Sequence, residues 1–450
     1  MLTTLRLFAL ATLFAMPALQ AAEPTGDERV EANREFRQQF DAANYAVALP
    51  LAARVVELTR SQFGTDAPEL ANPLGNLGTT HYRMREFGLA SDAYREGLAV
   101  LDLQNNATDP RLIPLLHGMG AALRGLQRDP EAIVPFKRAV DILRNRNGLY
   151  SPTQLPVLKQ LIACYMVDGR FQDAGREQQY AFSIAESTYG KDDLRMLGPI
   201  DDYARWNEAT GNYTAARSLY FRAVQVADAA KHGSVLAVDG LRGISRSYRL
   251  AFMNGESDES ATVTAATMPG SVASSALPRA QGGPSSDGER ALRNALQRLQ
   301  AATPAQPRVQ GEVLIDLGDW YLTAGATNRA LPTYRDAWRA LAPLGAQQPL
   351  ETPVAIVYRA PPVAVSRKIE DPEKSDEQQV ELRLGIKADG DVRDVSVTNP
   401  APEREAAERA VMAAVKRATW RPAFRDGEPV VATDVVFRER VYVRKPKVKE

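Results

Sequence analysis

Residues Phe87–Val100 read FGLASDAYREGLAV, with an aromatic at Phe87, small residues at Ala90 and Gly97, and a second aromatic, Tyr94, between them. The same spacing returns every 42 residues: Ala48, Ala90, Ala132, Ala174 and Ala216 stand in register. Seven positions further on come Val55, Gly97, Ala139, Ala181 and Ala223, mostly small as well. Ala52, Tyr94, Phe136, Gln178 and Tyr220 lie between the two sets. Tyr45, Phe87, Phe171 and Tyr213 add an aromatic at the start of each segment, with Asp129 as the exception. A fixed period of this length is the mark of a repeat architecture.

Small residues at i and i+7 share one face of a helix and let it approach a neighbour closely, while the aromatic between them fills the remaining gap. Upstream, Leu77-Gly78, Met119-Gly120, Leu161-Ile162 and Tyr203-Ala204 mark a matching first helix, and REF, QRDPE, DGRF and TGNY supply loop signals between the two helices. The chain is therefore expected to be mainly α, an α-α helical-hairpin solenoid. These residues resemble the tetratricopeptide repeat, in the longer spacing of kinesin-light-chain-like arrays.

The pattern resumes in DLGDWYLTAGATNRALPTYRDAWRAL, which carries Leu317, Gly318, Tyr321, Ala330, Tyr334 and Ala337. Between the two blocks, Leu241–Gly255 reads as a first helix with no immediate partner, and Arg290–Gln300 as its delayed second helix. The Ser-, Ala-, Gly- and Pro-rich stretch separating them has little to bury and reads as disordered. The expected organisation is repeats over 28–253, an insertion over 254–287, the last hairpins over 288–344, a linker or lead-in over 345–375, and a small domain over 376–446. That makes seven hairpins, one of them split.

At 450 residues more than one core is expected, and with Lys+Arg and Asp+Glu both at 55 the chain lacks the basic excess of a general nucleic-acid binder. The first residues, MLTTLRLFALATLFAMPALQAAEP, place one early positive charge before an apolar run from Leu7 to Met16 and then small residues. This is the layout of a secretory signal peptide over residues 1–22, cleaved after Ala21 or Ala22, and the run is short for a bilayer core. An exported, periplasmic protein is expected, or an inner-membrane-anchored one if the segment is retained. Cys164, the only cysteine, lies in a helical pattern and reads as a buried small thiol with no internal disulfide partner.

A solenoid presents a continuous concave surface lined by its first helices. The family's inward positions fall on Asn33, Arg37, Thr79, Tyr82 and Arg83, and further along on His117, Arg124, Lys159 and Arg205. Several are cationic, which suits an extended acidic segment or a free carboxylate; Glu208 dilutes the pattern, and a plain solvated groove is the competing reading.

Near the C-terminus the periodicity changes. Val380, Leu382, Leu384 and Ile386 alternate onto one face, Asp389-Gly390 signals a hairpin turn, and Val392, Val395 and Val397 form the return strand. Glu403–Ala418 reads as a helix with an apolar stripe at Ala407, Val411, Ala414, Val415 and Ala418. ATWRPAFRDGEPV (Ala418–Val430) and a last strand follow. The order of elements, with ADGDVRDVSV, WRPA and DGEPV, resembles the TonB C-terminal domain, a small α+β module. In this reading Trp420 and Pro422 close the helix and seat the sheet, and Asp426-Gly427 turns the chain into its final strand.

The resemblance implies that a short peptide from an outer-membrane transporter adds alongside the sheet edge as an extra strand. The corresponding edge here is the last strand, with Val435, Val436, Phe437 and Arg438, then Val441, Tyr442 and Val443. The chain departs from the family in its lead-in, where Tyr358 precedes Arg359 and APP, and in lacking a long Pro-Lys or Pro-Glu tract. The function expected is a periplasmic protein–protein interaction scaffold or adaptor with proteins or peptides as partners; the alternative is a membrane-anchored TonB-type energy transducer.

No catalytic site is expected. His81, His117 and His232 are scattered without metal-ligand spacing, and there is neither Gly-x-Ser-x-Gly nor a P-loop. GMGAALRG (Gly118–Gly125) superficially evokes a nucleotide loop, but it sits in a repeat helix, where close packing accounts for its glycines. No cofactor or metal is expected.

Overall fold

The computed structural model describes residues 26–230, 235–255, 284–361 and 375–444. They belong to two compact units, Met1–Glu177 and Gln178–Glu450. The expected signal peptide over 1–22 and residues 256–283 of the expected insertion lie outside the described residues.

In the first unit, helices pair as Gly26–Asp41 with Tyr45–Phe63, Ala71–Arg83 with Phe87–Asp102, and Leu112–Gly125 with Asp129–Asn147; Leu155–Val167 and the start of Phe171–Tyr189 follow. Ala48, Ala90, Ala132 and Ala174 are all 0% exposed. The rings beside them explain why the facing helices carry glycine. A Cβ on Gly118 would stand 2.3 Å from the Tyr94 ring, and one on Gly120 2.6 Å from Phe136. A Cβ on Gly125 would stand 2.5 Å from Phe87. All three glycines of the GMGAALRG stretch that meet aromatic rings are thus packing positions.

The period also governs the turns, where the sequence carries little signal. Ala43 (φ 60°), Arg85 (φ 65°), Gln127 (φ 60°), Gly169 (φ 72°) and Gly211 (φ 83°) are all left-handed and 42 residues apart. Each lets the next amide reach back over the helix end: Glu86 N–H donates to His81 O at 2.9 Å, and Asn212 N–H to Asn207 O at 2.8 Å.

In the second unit, Leu197–Ala209 pairs with Tyr213–Ala229, Ala237–Met253 with Ser286–Gln300, and Pro307–Thr323 with Thr327–Leu341. Leu241 and Ile244 share one core cluster with Ala291, Leu292 and Ala295. Its second helix begins at Ser286, ahead of the expected Arg290, because Ser285 caps it and Gly288 lies against Trp320, where a Cβ would stand 2.2 Å from the indole.

The C-terminal region contains β1 (Val354–Val357), β2 (Ser375–Ile386), β3 (Val392–Val397), β4 (Thr419–Arg421), β5 (Ala423–Arg425), β6 (Glu428–Val430) and β7 (Ala432–Arg444), with a helix over Glu405–Arg417. One antiparallel sheet has the order β3-β2-β7; β1 pairs with β4 and β5 with β6. Val380, Leu382, Leu384 and Ile386 are buried against Val411, Val415 and Trp420.

Within 345–361, part of the expected linker or lead-in, lie a short helix, Gln348–Glu351, with Leu350 buried, and β1, whose Ala355 pairs with Trp420. One expectation is corrected here. Asp426-Gly427 does not lead into the last strand but closes the β5–β6 hairpin, with Arg425 opposite Glu428. The reason is tertiary. Phe424 is fully buried in the repeat core beside Tyr334, ring centroids 5.6 Å apart, so this stretch leaves the sheet to cover the last helical hairpin.

Candidate functional site

In the first unit, five of the expected groove residues line one cavity of about 580 Å³: Thr79, Tyr82, Arg83, His117 and Arg124. Two adjacent first helices, Ala71–Arg83 and Leu112–Gly125, supply them. Gly118 and Ala121 lie between these side chains, and the small residues leave the space open. Tyr94 comes up from a second helix, and its hydroxyl stands 2.9 Å from Thr79 Oγ1, which itself donates to Gly75 O at 2.8 Å. Burial raises the Tyr94 pKa, so the phenol stays neutral.

The charge of this cavity is smaller than the residue types suggest. Arg124 Nε donates to Asp129 Oδ1 at 2.9 Å, and Nη1 to Gln160 Oε1. Asp129, the exception to the aromatic rule in the repeats, is thereby explained as the partner of Arg124. His117 packs against Phe136, ring centroids 5.8 Å apart, and burial lowers its pKa, so it is neutral near pH 7. Arg83 is exposed and makes no ion pair among the described residues. It is the free cation of the wall.

The remaining groove positions lie elsewhere. Arg37 lines a separate cavity of about 260 Å³ with Phe36, Phe40, Asp41, Asn76 and Thr79, and Asn33 is half-buried outside both. Lys159 is exposed and outside the larger cavity, which its neighbour Gln160 enters instead. In the second unit, Arg205 lines a cavity of about 510 Å³ and is held by Asp201, Nε to Oδ2 2.6 Å. Glu208, read as a dilution, pairs there with Arg246, Nε to Oε2 2.9 Å. Arg246 carries no signal in the sequence, because the 42-residue register places it with Gly120, Ile162 and Ala204, positions of the helix–helix core and not of the groove.

Cys164 is buried, and burial pushes its thiol up to about 12, which keeps it protonated and unreactive. Among the described residues, no group of three or more His, Cys, Asp and Glu could hold a metal ion, and no helix is long and apolar enough to cross a membrane.

Among the described residues β7 is an edge strand, paired only with β2. Val441 is buried; Val435, Phe437, Tyr442 and Val443 are half-buried; Val436 and Arg438 are exposed. On β2, Glu381 turns its backbone away from β7, since its N–H donates to Asn399 Oδ1 at 3.0 Å and its C=O accepts from Thr398 N–H at 3.0 Å. Its partner Arg438 therefore points its own N–H and C=O outward, and by alternation so do Val436 and Arg440. These groups form the open edge.

Residues 39–103 match the tetratricopeptide-repeat family. The chain carries tetratricopeptide repeats. Such repeats bind protein or peptide partners. Similar solved structures include BtubC (BKLC) from P. vanneervenii, 15% identical over 55% of this chain and 99% of that one, TM-score 0.37. Aspartyl phosphate phosphatase F from Bacillus subtilis is 12% identical over 71% of this chain and 72% of its own, TM-score 0.37. A signal-transduction ATPase with a tetratricopeptide-repeat sensor from Pyrococcus horikoshii is 12% identical over 72% of this chain and 42% of its own, TM-score 0.47. No curated protein matches the chain.

Proposed function

We propose that the protein is an exported, periplasmic interaction scaffold without chemistry of its own. Its repeats take an extended peptide or protein segment at the cavity between Ala71–Arg83 and Leu112–Gly125, and its C-terminal region, which resembles the TonB C-terminal domain, meets a second partner by strand addition along β7. The observation that carries this reading is the cavity itself. Five side chains expected from the repeat register converge on about 580 Å³ of open space, with Arg83 free to meet a carboxylate on the partner.

The test is affinity capture from envelope extracts with the wild-type chain, with Arg83→Ala and with Ala121→Trp, which fills the cavity. A partner retained by wild type and lost from both variants supports the reading; a partner retained equally by all three sinks it. Export is tested by the N-terminal residue of the purified protein. Ala22 or Glu23 supports the soluble scaffold, and Met1 in a membrane fraction supports the TonB-type transducer.

A second reading of the C-terminal region has its own observation. Phe424 and Arg421 dock on the last helical hairpin, as a cap on the exposed end of a repeat stack would. Capping and strand addition use different surfaces, β4–β6 and β7, and are compatible.

A further inference from the structure

In the first unit, aromatic rings keep the repeat period along the groove. Phe40 and Tyr82 stand 42 residues apart, and so do Tyr45 and Phe87. Each pair packs ring to ring across its own hairpin turn, Phe40 with Tyr45 at 5.3 Å between centroids and Tyr82 with Phe87 at 5.4 Å. All four are half-buried. One period further the pair becomes the ion pair of Arg124 and Asp129. Phe40 lines the smaller cavity, Tyr82 lines the larger, and Thr79 lines both. The groove thus presents one aromatic ring per repeat over two successive first helices.

The spacing of these rings selects a chain conformation. Neighbouring packed helices lie about 8–10 Å apart. A polyproline II helix returns the same side-chain direction every third residue, at about 3.1 Å per residue, so its repeat is about 9 Å. An extended strand returns it every second residue, about 7 Å for one return and about 13 Å for two, and falls out of step with the rings.

The hydrogen-bonding groups of the wall agree. Gln160 Oε1 accepts from Arg124 Nη1, which leaves the Gln160 amide hydrogens as donors. Among the described residues, neither the Asn76 side chain nor the Tyr82 hydroxyl has a hydrogen-bond partner. A polyproline II segment has carbonyls without partners of their own, and proline brings no N–H. An ordinary extended chain adds an N–H per residue, and among the described residues lining the two cavities Asp41 alone is a carboxylate to receive one. Arg37 and Asp41, one helical turn apart in the smaller cavity, offset each other in formal charge. Arg83 in the larger cavity makes no ion pair among the described residues, so the excess positive charge lies there.

We propose that this groove binds a proline-rich partner segment in the polyproline II conformation, one proline against Phe40, another three residues on against Tyr82, and a carboxylate beside it on Arg83. Asn76, Tyr82 and Gln160 donate to the carbonyls of the segment. The inference rests on the reading of the repeats as a peptide-binding groove and adds the conformation and composition of the peptide.

The experiment is an NMR titration of the full chain, following the side-chain amide signals of Asn76 in the smaller cavity and Gln160 in the larger. The probes are an acetylated run of seven prolines ending in glutamate amide, the same run ending in lysine amide, and a Gly-Ser peptide of equal length ending in glutamate amide. The proline–glutamate probe is expected to shift both signals saturably, and the other two to bind at least about tenfold more weakly. A shift confined to one cavity overturns the two-ring spacing, and no shift at either overturns the proposal. Equal or tighter binding of the lysine probe refutes the carboxylate contact. Equal or tighter binding of the Gly-Ser probe refutes the polyproline II conformation and leaves the extended-segment reading standing, which the extract capture with Arg83→Ala and Ala121→Trp decides separately. Arg83→Gln, at an exposed position, is expected to bind the two proline probes alike; a retained preference for glutamate refutes the role of Arg83.

Discussion

Arg421 Nη1 stands 3.0 Å from Asp319 Oδ1, with the two side chains 7% and 10% exposed, and joins the C-terminal strands to the last repeat hairpin. The Tyr334 hydroxyl donates to the same oxygen at 2.7 Å, and Arg421 Nη2 donates to Pro349 O at 3.1 Å. Burial raises the Asp319 pKa, with Arg421 opposing it. Arg421→Met leaves a buried carboxylate without its cation, which costs ~3–5 kcal/mol. Hydrogen exchange is expected to show Pro307–Thr323 and β4–β6 opening together in this variant. Protection unchanged from wild type would show that the pair does not hold the two regions together.

The glycine positions separate packing from propensity. A Cβ on Gly120 would meet the Phe136 ring, whereas one on Gly88 meets nothing within 4 Å. Gly120→Ala is therefore expected to destabilise the first unit by ~1–3 kcal/mol through overpacking. Gly88→Ala, in the helix Phe87–Asp102, is expected to gain ~0.5–1 kcal/mol. Denaturant midpoints of the two variants should move in opposite directions.

Asp193 supplies a titration with a defined sign. Side-chain and backbone hydrogen bonds from Arg195 lower its pKa to about 2. Because the folded value lies below the ordinary carboxylate value of about 4, the stabilisation is present above pH ~4 and is lost as pH falls toward 2. Carboxylate-detected NMR should show Asp193 titrating near the lower limit, and Arg195→Ala should move it back up. An unmoved value in that variant would assign the shift to something other than the Arg195 side chain.

Strand addition at β7 makes a backbone prediction. The N–H of Arg440 points away from β2, so Arg440→Pro removes an outward donor without removing a ladder bond. The variant is expected to keep its circular dichroism and thermal transition while losing any partner that binds along this edge. Loss of fold would place the Arg440 N–H inside the ladder; retention of the partner would move the binding surface elsewhere.

Much of this architecture is legible in the amino-acid order because it is periodic. Ala48, Ala90, Ala132, Ala174 and Ala216 are small for the same local reason each time, and Gly118, Gly120 and Gly125 could be assigned to packing without seeing the rings they touch. The alternation from Val380 to Ile386 likewise reports a one-sided strand directly. The delayed pairing of Ala237–Met253 with Ser286–Gln300 was also readable, since a first helix lacking its partner exposes an apolar face.

What only the tertiary structure decided is where the chain breaks its period. The left-handed turn residues Ala43, Arg85 and Gln127 have side chains that announce no turn, and helix-end geometry alone imposes their conformation. Charge at the groove could not be read from residue types, because Asp129 and Asp201 cancel Arg124 and Arg205 only once the helices are folded. The placement of Phe424 and Arg421 was equally hidden. In sequence they belong to a small sheet module, but the apolar and charged groups that receive them, Tyr334 and Asp319, lie about a hundred residues earlier (102 for Arg421–Asp319), and no local pattern spans that distance.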